Sequence, residues 1–347
     1  MQRAFKKLLI CRSRSTPPPA KRQKTSNSSW SSNNSSWSSP SPVTPVTPIF
    51  STTRNINKVP VEVWKEHICY KFLNLTDLSI LRRCHTFFDK YWQNITQQNV
   101  IRVPQGCPTL EKALVLANIF SERKEYTTDD PLKIVLAKGV HEIVGDAEKM
   151  VRVTCNHLTL VGKGNDQTTI RGGFVVENQQ HVTFEKLTVS NPNGYGLCLH
   201  RSETTVDMLK CIVNECKYDG MYVLGGATVA ATQCTFTKNG GHGVFCGTDT
   251  KARLQDTTMH HNEKNGLVAF SHAVVDLYGT KTAIHANKRY GLYAFHHGKI
   301  NIHLPSQHET FQGNGRDRVQ DGGGSIANIN ADGTFTHVVV DDEEDDY

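Results

Sequence analysis

The residues in this chain best suited to chemistry lie around Gly241-His242-Gly243. A histidine between two glycines is sterically open, and its imidazole can exchange a proton near neutral pH. Asp219, in Tyr218-Asp219-Gly220, holds the matching place one repeat length earlier. An acid and a histidine so placed invite an acid–base reading, in which one group donates a proton and another activates water. Run by carboxyl groups, that chemistry needs two of them at a fixed separation, and a lone carboxylate cannot be both acid and base. One period before Asp219 the matching residue is Tyr195, and one period after His242 it is Asn265. Asp256 and Asp276 are expected to stand alone on another face. His260-His261 and His296-His297 suggest a metal at first sight. Neighbouring residues at strand ends point to opposite sides, however, so no metal site and no cofactor is expected. These residues are read as non-catalytic.

The elements that position them come from a repeat. Glycines fall at 196, 220, 243, 266 and 291, so the period is 23 to 25 residues. Aligned on those glycines, Leu187, Cys211, Cys234, Thr257 and Thr282 form one column, and Val189, Val213, Phe236, Met259 and Ile284 another. Leu197, Met221, Val244, Leu267 and Leu292 follow the glycines directly. Leu199, Val223, Cys246, Ala269 and Ala294 come two residues later. Upstream columns are Val182, Val206, Val229, Ala252, Leu277 and Phe184, Met208, Ala231, Leu254, Gly279. Each period thus carries three short strands with alternate apolar residues, which stack so that like sits over like. Pro192, Cys216, Asn239, Asn262 and Asn287 mark a turn, where asparagine tolerates positive φ and bonds the next coil. Three strands per period predict a right-handed parallel β-helix over residues 131–335. A leucine-rich repeat is the rival at this length, but its frame and helical segment are absent.

If the columns after the glycine face inward, the intervening residues face out. They include Tyr222, Phe245, Phe270, Tyr293 and Phe295, an aromatic strip along one sheet and the expected substrate-binding surface. Stacking on sugars and seating a peptide both fit such a strip, and so does cover by a loop or by the N-terminal tail.

Outside the repeat the chain changes character. Residues 1–56 form a Ser/Pro-rich basic tail, expected to be disordered because it cannot bury enough apolar surface. Ten Lys/Arg and no acid precede Glu62, while the last seven residues, DDEEDDY, carry six acids. The part between is close to neutral, so the net charge of +6 gives no reason to expect nucleic-acid binding by the folded part. Pro19-Ala20-Lys21-Arg22-Gln23-Lys24 fits a short nuclear-import pattern through Lys21, Arg22 and Lys24, although a solvated basic patch reads the same way. The ten cysteines are scattered without CxxC pairs, as expected of reduced thiols in the nucleus or cytoplasm. No apolar run approaches a membrane span.

Residues 57–100 read as a small helical module, with Val63, Trp64, His67, Ile68 and Phe72 at helical spacing. Residues 101–130 read as linker and capping helix, Thr109 serving as N-cap, and 336–347 as an acidic tail. The order Val59-Pro60-Val61-Glu62, Ile68, Tyr70, Phe72-Leu73, Asp77-Leu78, Leu81-Arg82-Arg83-Cys84 and Phe87-Phe88 resembles the F-box pattern. Val59 replaces its usual leucine, about one extra residue precedes Ile68, and His85 stands where a basic residue is usual. A helical cap on the next domain fits the same periodicity.

The repeat resembles the pectin-lyase-like superfamily, including Ile134-Val-Leu-Ala-Lys-Gly139 and Leu160-Val-Gly162 with Thr169-Ile-Arg-Gly172. Gly241-His242-Gly243 is spelled as in pectin-cleaving glycosidases, whose resemblance would also require Asn-Thr-Asp, Asp-Asp and Arg-x-Lys in neighbouring coils. None of these occurs. Lyases of this fold need clustered acids for calcium beside an Arg or Lys, and no such cluster is seen. Together the two resemblances imply the β-helix class of F-box proteins. The module would dock a Skp-family adaptor of a cullin–RING ubiquitin ligase through Pro60, Glu62, Ile68, Leu73, Leu78, Leu81 and Phe87. The β-helix would hold a protein substrate, without chemistry of its own. A carbohydrate-binding or polysaccharide-cleaving β-helix is the alternative.

Overall fold

The computed structural model describes residues 99–122, 124–303 and 312–337. The basic tail with Lys21, Arg22 and Lys24 lies outside them. So do Pro60, Glu62, Ile68, Leu73, Leu78, Leu81 and Phe87, which were expected to meet an adaptor, and the acidic residues at the C-terminus.

The described chain winds as a right-handed parallel β-helix bounded by three sheets. Sheet A has eleven strands, from Val100–Val103 to Phe335–His337; sheet B has seven, from Gly139–Glu142 to Ala283–His285; sheet C has eight, from Met150–Val153 to Arg316–Asp321. Neighbours are parallel throughout except the last pair, where Phe335–His337 runs antiparallel to Ser325–Ile329. Strands of three to six residues bury alternate side chains, and stacking coils turns each buried position into a ladder. Leu197, Met221, Val244, Leu267 and Leu292 form one such ladder in register, fully buried. Val189, Val213, Phe236, Met259 and Ile284 form another.

One expected alignment is corrected. Val275, not Leu277, pairs with Ala252, and Leu277, not Gly279, pairs with Leu254. The extra length of this coil lies after the strand, in the turn at Gly279–Lys281, and so cannot shift the strand's own register. The first rung also starts earlier than the expected boundary at residue 131. Val100–Val103 already pairs with Leu132–Leu136, within the stretch expected to be linker and capping helix. The helix Leu110–Ser121 follows, capped by Thr109 Oγ1, which accepts the amide of Lys112 at 3.3 Å. It packs Leu110, Leu114 and Phe120 against those two strands and closes that end of the core.

Between sheets B and C runs the asparagine ladder. Asn239 Nδ2 donates to Asn262 Oδ1, Asn262 Nδ2 to Asn287 Oδ1, and Asn287 Nδ2 to Asn314 Oδ1, at 2.8–2.9 Å. Two expectations about it change. The left-handed backbone belongs to the residue before each asparagine: Lys238 (φ 54°), His261 (φ 55°) and Ala286 (φ 53°). The asparagines themselves are spent on the ladder. At the other end, Asn191, not Pro192, holds the equivalent place, since Lys217 N donates to Asn191 O as Gly240 N does to Cys216 O. Glycine recurs beside the ladder because there is no room for a side chain. A Cβ on Gly243 would stand 2.7 Å from Gly266 O and 2.9 Å from Asn262 Nδ2, and one on Gly266 2.8 Å from Asn287 Nδ2.

The seven described cysteines are buried. Six are interior; Cys198 stands in an outward column of sheet C, in register with Val175 and Tyr222. No helix among the described residues is long and apolar enough to cross a membrane.

Candidate functional site

His242 is not placed for proton transfer. Its backbone amide donates to Asp219 Oδ1 at 2.6 Å, and its ring Nδ1 accepts the amide of Asn265 at 3.3 Å. Asn265 Oδ1 in turn accepts the amide of Tyr290 at 3.0 Å. Asp219, His242 and Asn265 therefore form a second ladder, each side chain receiving the backbone N–H of the next coil. Acceptance at Nδ1 places the ring hydrogen on Nε2. Burial, with Lys264 and Arg289 nearby, pushes the imidazole down to about 3. Burial likewise raises Asp219 to about 6 against the amide bond that favours its charge. Gly241 makes room for this carboxylate: a Cβ there would lie 2.1 Å from Asp219 Oδ1. All three residues of the Gly-His-Gly triplet are thus committed to stacking coils.

The five aromatic residues read as a strip share the outward face of sheet C. Tyr222 and Phe245 stack at 5.1 Å with 23° between planes, and Phe245 meets Phe270 at 6.2 Å. Phe270 meets Phe295 at 4.5 Å, and Tyr293 stacks on Phe295 at 4.6 Å with 10° between planes. The sequence reading missed the flank of this strip, one residue before the glycines. There Tyr195 meets both Tyr218 and Tyr222, His242 meets Phe245, and Tyr290 meets Tyr293. The signal was available: two of these flanking positions, Tyr195 and Tyr290, are tyrosine in the sequence. Gly247 leaves the gap that Phe245 leans across, since a Cβ there would stand 2.9 Å from its ring and 2.7 Å from Leu224. Each of the five is half-buried, and Val268, which faces outward between Phe245 and Tyr293 in register, is buried. The strip is a packed aromatic layer and not a row of separate rings. Burial raises the Tyr222 hydroxyl to about 12, so it stays a neutral donor.

Toward its N-terminal end the strip becomes polar. Cys198 Sγ lies 3.2 Å from His200 Nε2, and Glu177 bridges Arg152 at 2.5 Å and Arg201 at 3.2 Å. Burial lowers the His200 imidazole.

On sheet A, Asp276 is not alone as expected. Its Oδ1 accepts from Asn301 Nδ2 at 3.0 Å and contacts His303 Nε2 at 2.8 Å. The His303 ring stacks on Tyr278 at 4.1 Å, and the Arg253 guanidinium lies 4.3 Å from the Tyr278 centroid. Column alignment hid this group because Arg253, Asp276 and Asn301 share one outward column while Tyr278 and His303 stand in another. On sheet B, His260 and His285 stack at 5.0 Å with His261 beside them, and burial lowers His260 to about 4. His296 and His297 occupy a turn with positive φ at both residues. Among the described residues no group of three or more His, Cys, Asp or Glu is arranged to hold a metal ion.

The family model described as "Right handed beta helix region" matches residues 172–339. No curated protein matches the chain significantly in sequence. Among solved structures, a mannuronan C-5 epimerase A-module from Azotobacter vinelandii is 15% identical, with a TM-score of 0.44 over 64% of this chain and 71% of that one. A pectin methylesterase from carrot is 10% identical, with a TM-score of 0.40 over 69% and 85%. A pectate lyase, Pel9A, is 11% identical, with a TM-score of 0.31 over 56% and 68%. The described chain carries a right-handed parallel β-helix domain.

Proposed function

We propose that this chain is a target-recognition subunit: the outward face of sheet C holds a protein segment, and residues 57–100 dock a Skp-family adaptor of a cullin–RING ubiquitin ligase. The observation that carries the first half is the aromatic layer from Tyr222 to Phe295, packed across successive coils on a regular sheet. A flat, rigid, half-buried aromatic surface suits protein recognition, where aromatic anchors dominate affinity. The second half is supported by the F-box-like order of residues 58–92 and by Pro60, Glu62, Ile68, Leu73, Leu78, Leu81 and Phe87 within it. Tethering would raise the target's concentration near a ubiquitin-charged enzyme without chemistry by the β-helix. Lys21, Arg22 and Lys24 would direct the chain to the nucleus. The test is co-purification with a Skp-type adaptor. Binding abolished by Pro60→Ala with Leu78→Asp supports the proposal; binding retained in that variant overturns it.

A second reading, a carbohydrate-directed β-helix, is favoured by Asp276 and His303 at 2.8 Å beside Arg253 and Tyr278. The carboxylate there orients an imidazole, as acid–base chemistry requires. Release of reducing ends from polygalacturonate, lost in His303→Ala, would establish this reading in place of the first.

A further inference from the structure

The turn from sheet B into sheet C gives the aromatic layer a charged edge. Lys217 Nζ lies 5.3 Å from the Tyr218 ring centroid, and the Arg289 guanidinium 5.2 Å from that of Tyr290. Lys264 lies close enough to Asp219 and His242 to act on both. Arg316 continues the edge, in register with Tyr290. Lys217, Lys264 and Arg289 are exposed, and none forms an ion pair with an acid among the described residues. Two acids near this edge are already engaged. Glu263 is paired with Lys288, and Asp219 is buried with its Oδ1 taken by the His242 amide. The edge therefore carries a cation on four of five successive coils, glycine standing at the turn of the second, and the layer beside it is apolar.

Ring geometry narrows the class of ligand. Tyr222 stacks on Phe245, and Tyr293 on Phe295, so each of these rings has one face covered by its neighbour. A nucleobase or a pyranose needs a free ring face to stack upon. Aliphatic and aromatic side chains do not. We infer that the layer binds an acidic, apolar peptide segment in extended form, its apolar side chains on Tyr222, Phe245, Phe270 and Phe295 and its carboxylates on Lys217, Lys264, Arg289 and Arg316. The inference rests on the recognition reading and names its substrate class. With coils ~4.8 Å apart, the edge from Lys217 to Arg316 spans ~19 Å, the length of about six extended residues.

The test uses the full-length protein and fluorescein-labelled nine-residue peptides alternating Leu with Glu, with Gln or with Lys, followed by anisotropy. Tetragalacturonate and a ten-residue oligothymidylate serve as competitors. The Glu peptide binds at least tenfold tighter than the Gln peptide in low salt, and the Lys peptide binds weakest. Lys264→Glu with Arg289→Glu abolishes that order, while Phe245→Ala with Phe295→Ala weakens every peptide. Equal affinities for Glu and Gln peptides, still weakened by the Phe variants, overturn the acidic preference and leave protein recognition standing. Peptide binding unaffected by the Phe variants overturns both. Displacement of the Glu peptide by the saccharide or the oligonucleotide at equal charge concentration also overturns the inference.

Discussion

The amide of Asn265 donates to Nδ1 of His242 at 3.3 Å, one coil away. This bond decides what the Gly-His-Gly triplet is for. An imidazole whose lone pair is held by a backbone N–H has no free acceptor nitrogen with which to take a proton from a substrate. His242→Ala leaves that amide without its partner and is expected to lower stability by about 1–3 kcal/mol in chemical denaturation. His242→Asn, which keeps an acceptor as Asn265 does in the next coil, recovers part of the loss.

Asp219 gives a pH signature of known sign. Its folded value of about 6 lies above the ordinary 3.8, so the folded state holds a proton that the unfolded state has released. Its favourable contribution is complete below about pH 4 and lost as pH rises through 6. Asp219→Asn keeps the acceptor for the His242 amide and removes the buried charge. The variant is expected to gain about 2–3 kcal/mol over the parent above pH 7 and nothing at pH 4, read from denaturation midpoints at both pH values.

The histidines act in the opposite direction. His242 at about 3 and His260 at about 4 are depressed from 6.5, so the unfolded state binds their protons first. Stability from these groups is present above pH 6.5 and lost as pH falls toward those values. In the Asp219→Asn background, where the opposing carboxylate is gone, stability between pH 6.5 and 4 is expected to fall more steeply than in the parent. A shallower fall would contradict the assignment.

Asn262 both donates to Asn287 Oδ1 and accepts from Asn239. Asn262→Asp removes the donor and buries a charge facing acceptors, with an expected cost of at least about 3 kcal/mol. Gly243→Ala, pressing on Gly266 O and Asn262 Nδ2, is expected to cost about 1–3 kcal/mol. Thermal unfolding measures both.

Much of this was legible in the chain itself, and the exceptions have physical reasons. A column of glycines 23 to 25 residues apart locates the interior ladders, because the core tolerates no slip. The same spacing misplaced Leu277 and Gly279, since extra residues in a turn alter sequence distance without altering strand register. Asn191 was hidden behind Pro192 by one additional residue before Gly196. Asn314 was hidden because its coil is longer still. The role of His242 was partly written in its column: Asp219, His242 and Asn265 are all acceptors, a hint that alignment on apolar residues passes over. The Asp276–His303 contact had no such trace, because it joins different columns.

The claim that the sheet C layer is the recognition surface is tested most directly by comparing proteins that co-purify with the full-length chain and with its Phe245→Ala, Phe295→Ala variant. A Skp-type adaptor, expected to bind through residues 57–100, serves as internal reference, and mass spectrometry quantifies each partner. Adaptor recovery unchanged, with a defined set of other partners reduced at least tenfold, is the expected result. The same partners recovered at the same ratio to adaptor would contradict the account.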